Sequence, residues 1–474
     1  TYNCGENVTA TLSRNNDGDG TYTMTIRGTG PMENYDFLSC RDMPWRDAIP
    51  KIKRLIVDDG VTSLGDCVLH GFDGEHDAES LEEVTLPEGL TYLGNYAFFG
   101  AAKLKSITLP STLTTIGLAA FDECAGLTDI TIPSDVKTIK EGAFGYCTNL
   151  TSVTIPDNVE TLGQGVFEGC TQLTSINIPK RVKSMGAHMF GRCTALTCIT
   201  FEPGSNLRNI ATNGSWKLFT DTSSELKVYC EPGLKSKLSG KDVPDERIIT
   251  TVDVTLVDGD TITPKKIDYG AKIAALGTPT KPGYTPSSFT GWYTDEDCTK
   301  RYPNEQLFTN IKGTTLYAGW AGTDLTVKNG TISVVASDGT PLAIELKNGQ
   351  AKVPAGATVT VTFDRAAVAG NDLKFDHWNI SGLNEDEKPK DTSQEEITFT
   401  VPADRDAIAI EGVCKSDKTP DANTEYQLSV TGGIVAVEKD GQPLVIDPVV
   451  TGDKKTYSVP KDAKVTVTLD KTLI

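Results

Sequence analysis

The chain has 474 residues, and its 45 Lys and Arg against 64 Asp and Glu give a net charge of −19. That length exceeds one ordinary hydrophobic core, so several domains are expected, and a content of 38% hydrophobic and 23% charged residues suits a folded chain rather than a disordered one. The negative balance, with no Lys/Arg-rich run to override it, argues against nucleic acid and anionic lipid as partners, and no window approaches the roughly 18 to 20 apolar residues of a membrane span.

The opening Thr1-Tyr2-Asn3-Cys4 has neither an initiator Met nor the apolar stretch of a signal peptide, so the chain reads as a mature or trimmed fragment. Two Asp-Gly pairs at residues 17–20 sit between alternating segments, which predicts a β-hairpin, and residues 1–51 are expected to cap the open edge of the neighbouring domain. The run NNDGDG at 15–20 could also be a calcium loop, but the downstream Glu of such a loop is absent and a turn suffices.

From residue 81 to 195 the sequence repeats every 23 residues. Leu recurs at Leu81, Leu104, Leu127, Leu150 and Leu173; Pro at Pro87, Pro110, Pro133, Pro156 and Pro179; Phe at Phe98, Phe121, Phe144, Phe167 and Phe190. Each unit reads L-x-x-[VI]-x-[LI]-P, then a second apolar pair such as Leu113 and Ile116, then Ala-Phe and a Cys. The alternation before Pro predicts one short strand per repeat, and Pro, lacking an N–H, ends it. One such unit buries too little apolar surface to offset the entropy of ordering it, so neighbours must share a core, as parallel strands stacked about 4.8 Å apart in a solenoid. Residues 52–80 fit the template as a degenerate first coil, so the solenoid is placed at 52–225; residues 196–225 start in phase at Leu196 and Ile199 but lose the Pro and Phe positions, and 226–250 read as a closing strand and short helix.

These landmarks resemble BspA-type leucine-rich repeats of bacterial surface proteins, and the segment CGENVTATL…GTYTMTIRGTGPMENY…PW resembles the N-terminal cap that precedes them. Departures are small: Lys140 stands where Gly117 and Gly163 do, Val166 and Met189 replace Ala, and Ala101 stands at the Cys position. Cys124, Cys147, Cys170 and Cys193 stack on successive coils at a spacing that a disulfide permits, and zinc is conceivable; the resemblance instead implies buried structural thiols. Cys4, Cys40, Cys67, Cys198 and Cys230 lie in or near the caps, with a Cys4–Cys40 bridge as one guess.

Past residue 250 the period vanishes and Val/Thr/Ile alternation takes over. Residues 251–320, with Gly-Tyr, Gly-Trp-Tyr-Thr and Leu-Tyr-Ala-x-Trp landmarks, resemble the Listeria-Bacteroides repeat of internalins, which implies a β-grasp-like module and makes Trp292, Tyr293, Tyr317 and Trp320 core residues rather than sugar-stacking ones. Residues 325–364 and 428–470 share a template, so a divergent module is expected at 321–415 and again, after a linker at 416–425, at 425–474, where it stops before any counterpart of Trp378. The predicted fold is therefore mainly β: a leucine-rich-repeat solenoid followed by β-grasp-like and β-sandwich-like modules.

No nucleophile elbow, phosphate-binding loop or zincin motif is present, and the four His (His70, His76, His188 and His377) fall in three separate units. Cys67, His70, His76 and nearby carboxylates are of metal-ligating types, but alignment to the repeat makes 73–78 an inserted surface loop. No enzyme, metal or cofactor is expected. The surface left for function is the outward side of the predicted strands: Glu83, Thr85, Ser106, Thr108, Asp129, Thr131, Ser152, Thr154, Ser175 and Asn177, a polar, lightly acidic set on a rigid frame. With the resemblance, it implies a secreted or cell-surface bacterial adhesin that binds a host or microbial protein or glycan, the β modules serving as a stalk. The alternative is a non-binding spacer or self-assembling surface protein.

Overall fold

Tyr22–Gly28 joins two kinds of sheet. Along one edge it runs antiparallel to Val8–Arg14, register Val8↔Gly28 to Arg14↔Tyr22, with Tyr2–Gly5 outside; along the other it runs parallel to Ile52–Val57. The hairpin thus covers the first edge of a parallel stack, as its turn chemistry predicts. The computed structural model describes every residue except 36–41, 72–76, 212–216, 260, 369–372, 417–424, 432, 440–441, 446–448, 452–453, 461–462 and 470–474. By internal contacts the chain forms two units, Thr1–Pro279 with Gly291–Gly319, and Thr280–Thr290 with Trp320–Ile474.

In the first unit the coils build two ladders, not the single one that the alternation suggests. The strand before the repeat Pro gives Ile52–Val57, Glu83–Thr85, Asp129–Thr131, Ser152–Thr154, Ser175–Ile178, Cys198–Phe201, Lys227–Tyr229 and Ile248–Ile249. The second apolar pair gives another: Gly30–Pro31, Val61–Leu64, Tyr92–Leu93, Thr115–Ile116, Thr138–Ile139, Thr161–Leu162, Ser184–Met185 and Asn209–Ile210 form one unbroken parallel sheet. The predicted ladder is interrupted. Residues 104–110 keep the alternation, with Ile107 and Leu109 inward, but form no strand, and Ser152–Thr154 is not paired with Ser175–Ile178. Alternation decides which side chains face the core; it does not bring backbones to ladder distance.

Between the ladders lies the core. The repeat leucines are fully buried, and Phe98, Phe121, Phe144, Phe167 and Phe190 stack at 5.4 to 6.0 Å between ring centroids. Phe219 extends the pile at 6.0 Å and 6°, so the last coil does fill the Phe position, displaced along the sequence by an insertion the strict period hides. Glycine at 117, 163 and 186 lets one coil rest on the next: a Cβ on Gly186 would lie 2.3 Å from the Gln164 nitrogen, and one on Gly163 2.4 Å from the Glu141 nitrogen. Lys140, the exception, sends its ammonium two coils back, 5.3 Å over the Tyr92 ring and 3.4 Å from Asn95 Oδ1. The stack closes with Lys227–Tyr229, the helix Pro232–Leu238 and Ile248–Ile249.

Beyond the solenoid lies a mixed sheet in the order Thr261–Asp268, Thr251–Asp258, Thr314–Trp320, Phe289–Tyr293, with Thr251–Asp258 parallel to Thr314–Trp320. Trp292 and Trp320 are buried, as core residues would be, whereas Tyr293 and Tyr317 are only half-buried. In the second unit, residues 323–416 make two four-stranded sheets over a shared core that includes Leu325, Val359, Val361, Trp378, Phe399 and Ile408.

Candidate functional site

All ten outward residues are exposed, because each occupies the solvent side of an alternating segment whose partners Ile130, Val153 and Ile176 are buried. The parallel register sets Asp129 beside Ser152 and Thr131 beside Thr154. Ser175 lies beside Cys198 and Asn177 beside Thr200, which in turn neighbour Lys227 and Tyr229. Glu83 and Thr85 stand beside Arg54 and Ile56, and Arg54 Nε lies 2.8 Å from the Glu83 carboxylate. Ser106 and Thr108 are exposed but outside either ladder, so eight of the ten fall into three laddered groups with that pair standing apart, rather than one continuous rank.

The structure adds a row that the ten omit. Thr128, Thr151, Thr174 and Thr197 are exposed beside them, the amides of Thr151 and Thr197 donating to the carbonyls of Thr128 and Thr174 at 3.1 and 3.0 Å. The signal was present in the sequence as Leu-Thr opening four successive coils. Thr200 Oγ1 donates to Asn177 Oδ1 at 2.8 Å. The face presents hydroxyl and amide groups with little net charge, since Arg54 offsets Glu83 and Asp129 is the only other carboxylate of the ten.

The frame behind the face is rigid. Each ladder cysteine donates its thiol to the Phe carbonyl 26 residues earlier: Cys124 to Phe98, Cys147 to Phe121 and Cys170 to Phe144, each at 3.2 Å, and Cys193 to Phe167 at 3.0 Å. Burial pushes all four thiols up, Cys193 to about 12, so they persist as neutral hydrogen-bond donors. These are structural thiols, as the repeat resemblance implies; for the guessed Cys4–Cys40 pair, Cys4 is a buried thiol and Cys40 lies outside the described residues.

A second polar cluster runs along the coil edge that carries the Phe turns. Glu168 accepts from Tyr146 Oη at 2.8 Å and lies 3.0 Å from His188 Nδ1, while Arg192 donates to Tyr146 Oη at 2.7 Å. Both rings rest on glycines. A Cβ on Gly169, one coil further on, would meet the Tyr146 ring at 2.5 Å, and one on Gly191, in the same turn as His188, would meet its ring at 2.3 Å. Asp122 fits over Gly145 of the next coil in the same way, but its Oδ1 is buried with no hydrogen-bond partner among the described residues. Burial first, and the nearby Glu123 and Glu168 charges next, push its carboxyl up to about 7.

The other candidates resolve into structure. His70 stacks 5.4 Å from Tyr96 and 4.4 Å from Phe99 with Nδ1 at 2.6 Å from Asp77; His76 lies outside the described residues, and among those described no three His, Cys, Asp or Glu gather to hold a metal. Asp17 and Asp19 of the NNDGDG turn approach Lys53 Nζ at 3.4 and 3.0 Å, which pairs both carboxylates with a lysine.

Residues 75–213 match the family described as BspA type leucine rich repeat region, in six copies, and residues 253–319 match the Listeria-Bacteroides repeat domain. Among solved structures, a leucine-rich repeat protein of T. pallidum is 25% identical, with 42% of this chain and 82% of that one covered and a TM-score of 0.31. One from Bacteroides ovatus is 22% identical over 48% and 70%, with a TM-score of 0.30. A leucine rich cell surface protein from Faecalibacterium prausnitzii is 18% identical over 46% and 73%, with a TM-score of 0.27. No curated protein compared with the chain matches it. Among the described residues no helix is long and apolar enough to cross a membrane.

Proposed function

We propose that this chain, a BspA-type leucine-rich repeat protein continued by a Listeria-Bacteroides repeat domain, is an extracellular bacterial recognition protein whose strand face binds a host or microbial protein or glycan. The observation that carries the reading is the exposed polar face, Glu83 to Asn177 with the added Thr row, held on a frame locked by stacked Phe rings and thiol hydrogen bonds. A rigid array of hydroxyls and amides loses little entropy on engaging an extended partner, and its low charge favours neutral hydrogen-bonding ligands over polyanions. In this reading the β modules are a stalk and no chemistry is performed.

The test replaces Thr131, Thr154 and Asn177 by Arg together in the full chain and compares it with the parent on arrays of glycans and extracellular-matrix proteins. These side chains are exposed, so folding should persist while binding falls at least about tenfold, or roughly 1.4 kcal/mol. Undiminished binding would remove the face from its assigned role. Light scattering over a concentration series decides the alternative, since ordered assembly without ligand would favour a self-associating surface protein.

A further inference from the structure

The corner between the two ladders changes charge along the stack. After Pro133 it carries Ser134, Asp135 and Lys137, and after Pro156 it carries Asp157, Asn158 and Glu160. After Pro179 the same positions hold Lys180, Arg181 and Lys183. The next coil sets Arg208 beside Lys183, since Ser184 pairs with Asn209 and the Arg208 amide donates to the Lys183 carbonyl at 2.9 Å. The helix Pro232–Leu238 ends the row, with Lys237 Nζ donating to the Leu207 carbonyl at 2.6 Å. All five basic residues are exposed.

Little on the chain neutralises them. Arg181 donates to Asn158 Oδ1 at 3.0 Å, a neutral partner, and neither Lys180 nor Arg208 has an ion-pair partner among the described residues. Two carboxylates touch the row: Glu160, 2.7 Å from Lys183 Nζ, and Glu202, which accepts the Lys180 backbone amide at 3.1 Å. Hydrogen-bonded Lys183 first, then Lys137 and Arg181, hold the Glu160 carboxyl below its ordinary value, so the local field is positive. Five cations against two carboxylates make a basic strip on a chain whose net charge is −19. No run of Lys and Arg announces it, because stacking assembles it from separate segments.

We infer that this corner binds a sulfated polysaccharide. Asp157 stands one coil before Lys180 and Asp135 two coils before Arg181, so the strip is bounded by carboxylates. They repel a planar anionic membrane or the closely charged rod of duplex nucleic acid, whereas a chain one sugar wide can follow Lys183, Arg208 and Lys237 without meeting them. The Arg181 and Arg208 guanidinium groups are planar forks that match the oxygens of a sulfate ester, and neighbouring coils lie about 4.8 Å apart, close enough for one chain to reach cations on both. The strip follows the repeat Pro and the strand face precedes it, so this site is independent of that face and its neutral ligand.

The probe is size-fractionated dextran sulfate titrated into the full chain by calorimetry, beside unsulfated dextran and polyglutamate of matched charge. The expected result is saturable binding of dextran sulfate, at least about tenfold tighter than polyglutamate, and none of dextran. Affinity should fall at least about tenfold between roughly 50 and 200 mM salt, as counterion release at about three contacts requires. Arg181→Ala with Arg208→Ala should weaken binding at least about tenfold at the lower salt and flatten the salt dependence. Lys265→Ala with Lys266→Ala removes as much charge from the exposed strand Thr261–Asp268 and should leave both unchanged. Thermal melts of both variants check that the fold persists. Absence of binding, equal losses in the two variants, or polyglutamate bound as tightly as dextran sulfate overturns the inference, the last because an acidic peptide would then be the occupant.

Discussion

Asp122 offers the sharpest test of how the coils hold together. Replacing it with Asn keeps the shape over Gly145 and removes the ionisation. In the native stack burial and the neighbouring Glu123 and Glu168 raise this carboxyl to about 7, against 3.8 for an ordinary Asp. A group whose native pKa is raised keeps its proton on folding, so its contribution is fully present below pH 3.8 and is lost as pH rises through about 7. At about 1.36 kcal/mol per unit, the parent chain loses up to ~4 kcal/mol of coil stability between pH 3 and pH 8 on account of this one side chain. That figure is a ceiling, since Asp122 keeps some contact with solvent.

Asp122→Asn should therefore match the parent near pH 4 and exceed it at pH 8. Groups distant from position 122 titrate alike in both proteins, so subtracting one from the other isolates Asp122 together with its coupling to Glu123 and Glu168. Because a multidomain chain need not unfold in one step, the suitable readout is amide exchange in residues 113–150, corrected for the intrinsic pH dependence of exchange. Protection should differ little at pH 4 and by a factor of up to about a thousand at pH 8. An advantage of the variant that is the same at both pH values, or that emerges only in acid, would refute the assignment of a buried, proton-retaining carboxyl.

The same stack sets three further outcomes. Phe144→Ala opens a gap between rings 5.4 and 5.8 Å away and should cost about 3 to 5 kcal/mol, seen as lost exchange protection in both adjoining coils. Gly186→Ala places a methyl 2.3 Å from the Gln164 backbone and should lower the thermal midpoint, whereas Lys140→Gly, which loses a cation–π contact and hydrogen bonds but opens no cavity, should cost less than about 1 kcal/mol. Under a thiol reagent without denaturant, half-exposed Cys198 should react while Cys124, Cys147, Cys170 and Cys193 stay protected; mass spectrometry of digests shows which sites carry the label, and rapid modification of those four would contradict their burial.

The 23-residue period made the coil, its Phe pile and its thiols legible, because every repeat buries the same side chains at the same place. Contact distances between backbones were less so. The unbroken ladder is the one at Thr115–Ile116 and its equivalents, where two residues per coil leave no alternation long enough to read as a strand. The ladder that the alternation does announce fails at 104–110. Phe219 was hidden for another reason: six residues inserted into the last coil shift it out of period, yet the vacant place in the ring stack draws the next available Phe to 6.0 Å.

Side chains that answer to their neighbours in space rather than to the repeat were the least visible, and they bear most on chemistry. Asp122, Tyr146, Glu168, His188 and Arg192 differ in type from coil to coil, so no repeat position predicts them. Glycine admits three of them: Gly145 and Gly169 make room for Asp122 and Tyr146 one coil further on, and Gly191 makes room for His188 within its own turn. Glu123, Tyr146 and Arg192 even take the left-handed backbone conformation, with φ of 60°, 48° and 60°, that Gly100 and Gly169 fill at no steric cost. Glu123→Gly is thus expected to relieve backbone strain and to remove a like charge beside Asp122. If both terms act, it should stabilise coils 113–150 at pH 8 and do so less at pH 4, where the charge term vanishes. An equal effect at the two pH values would leave strain as the whole cause and Asp122 untouched by its neighbour.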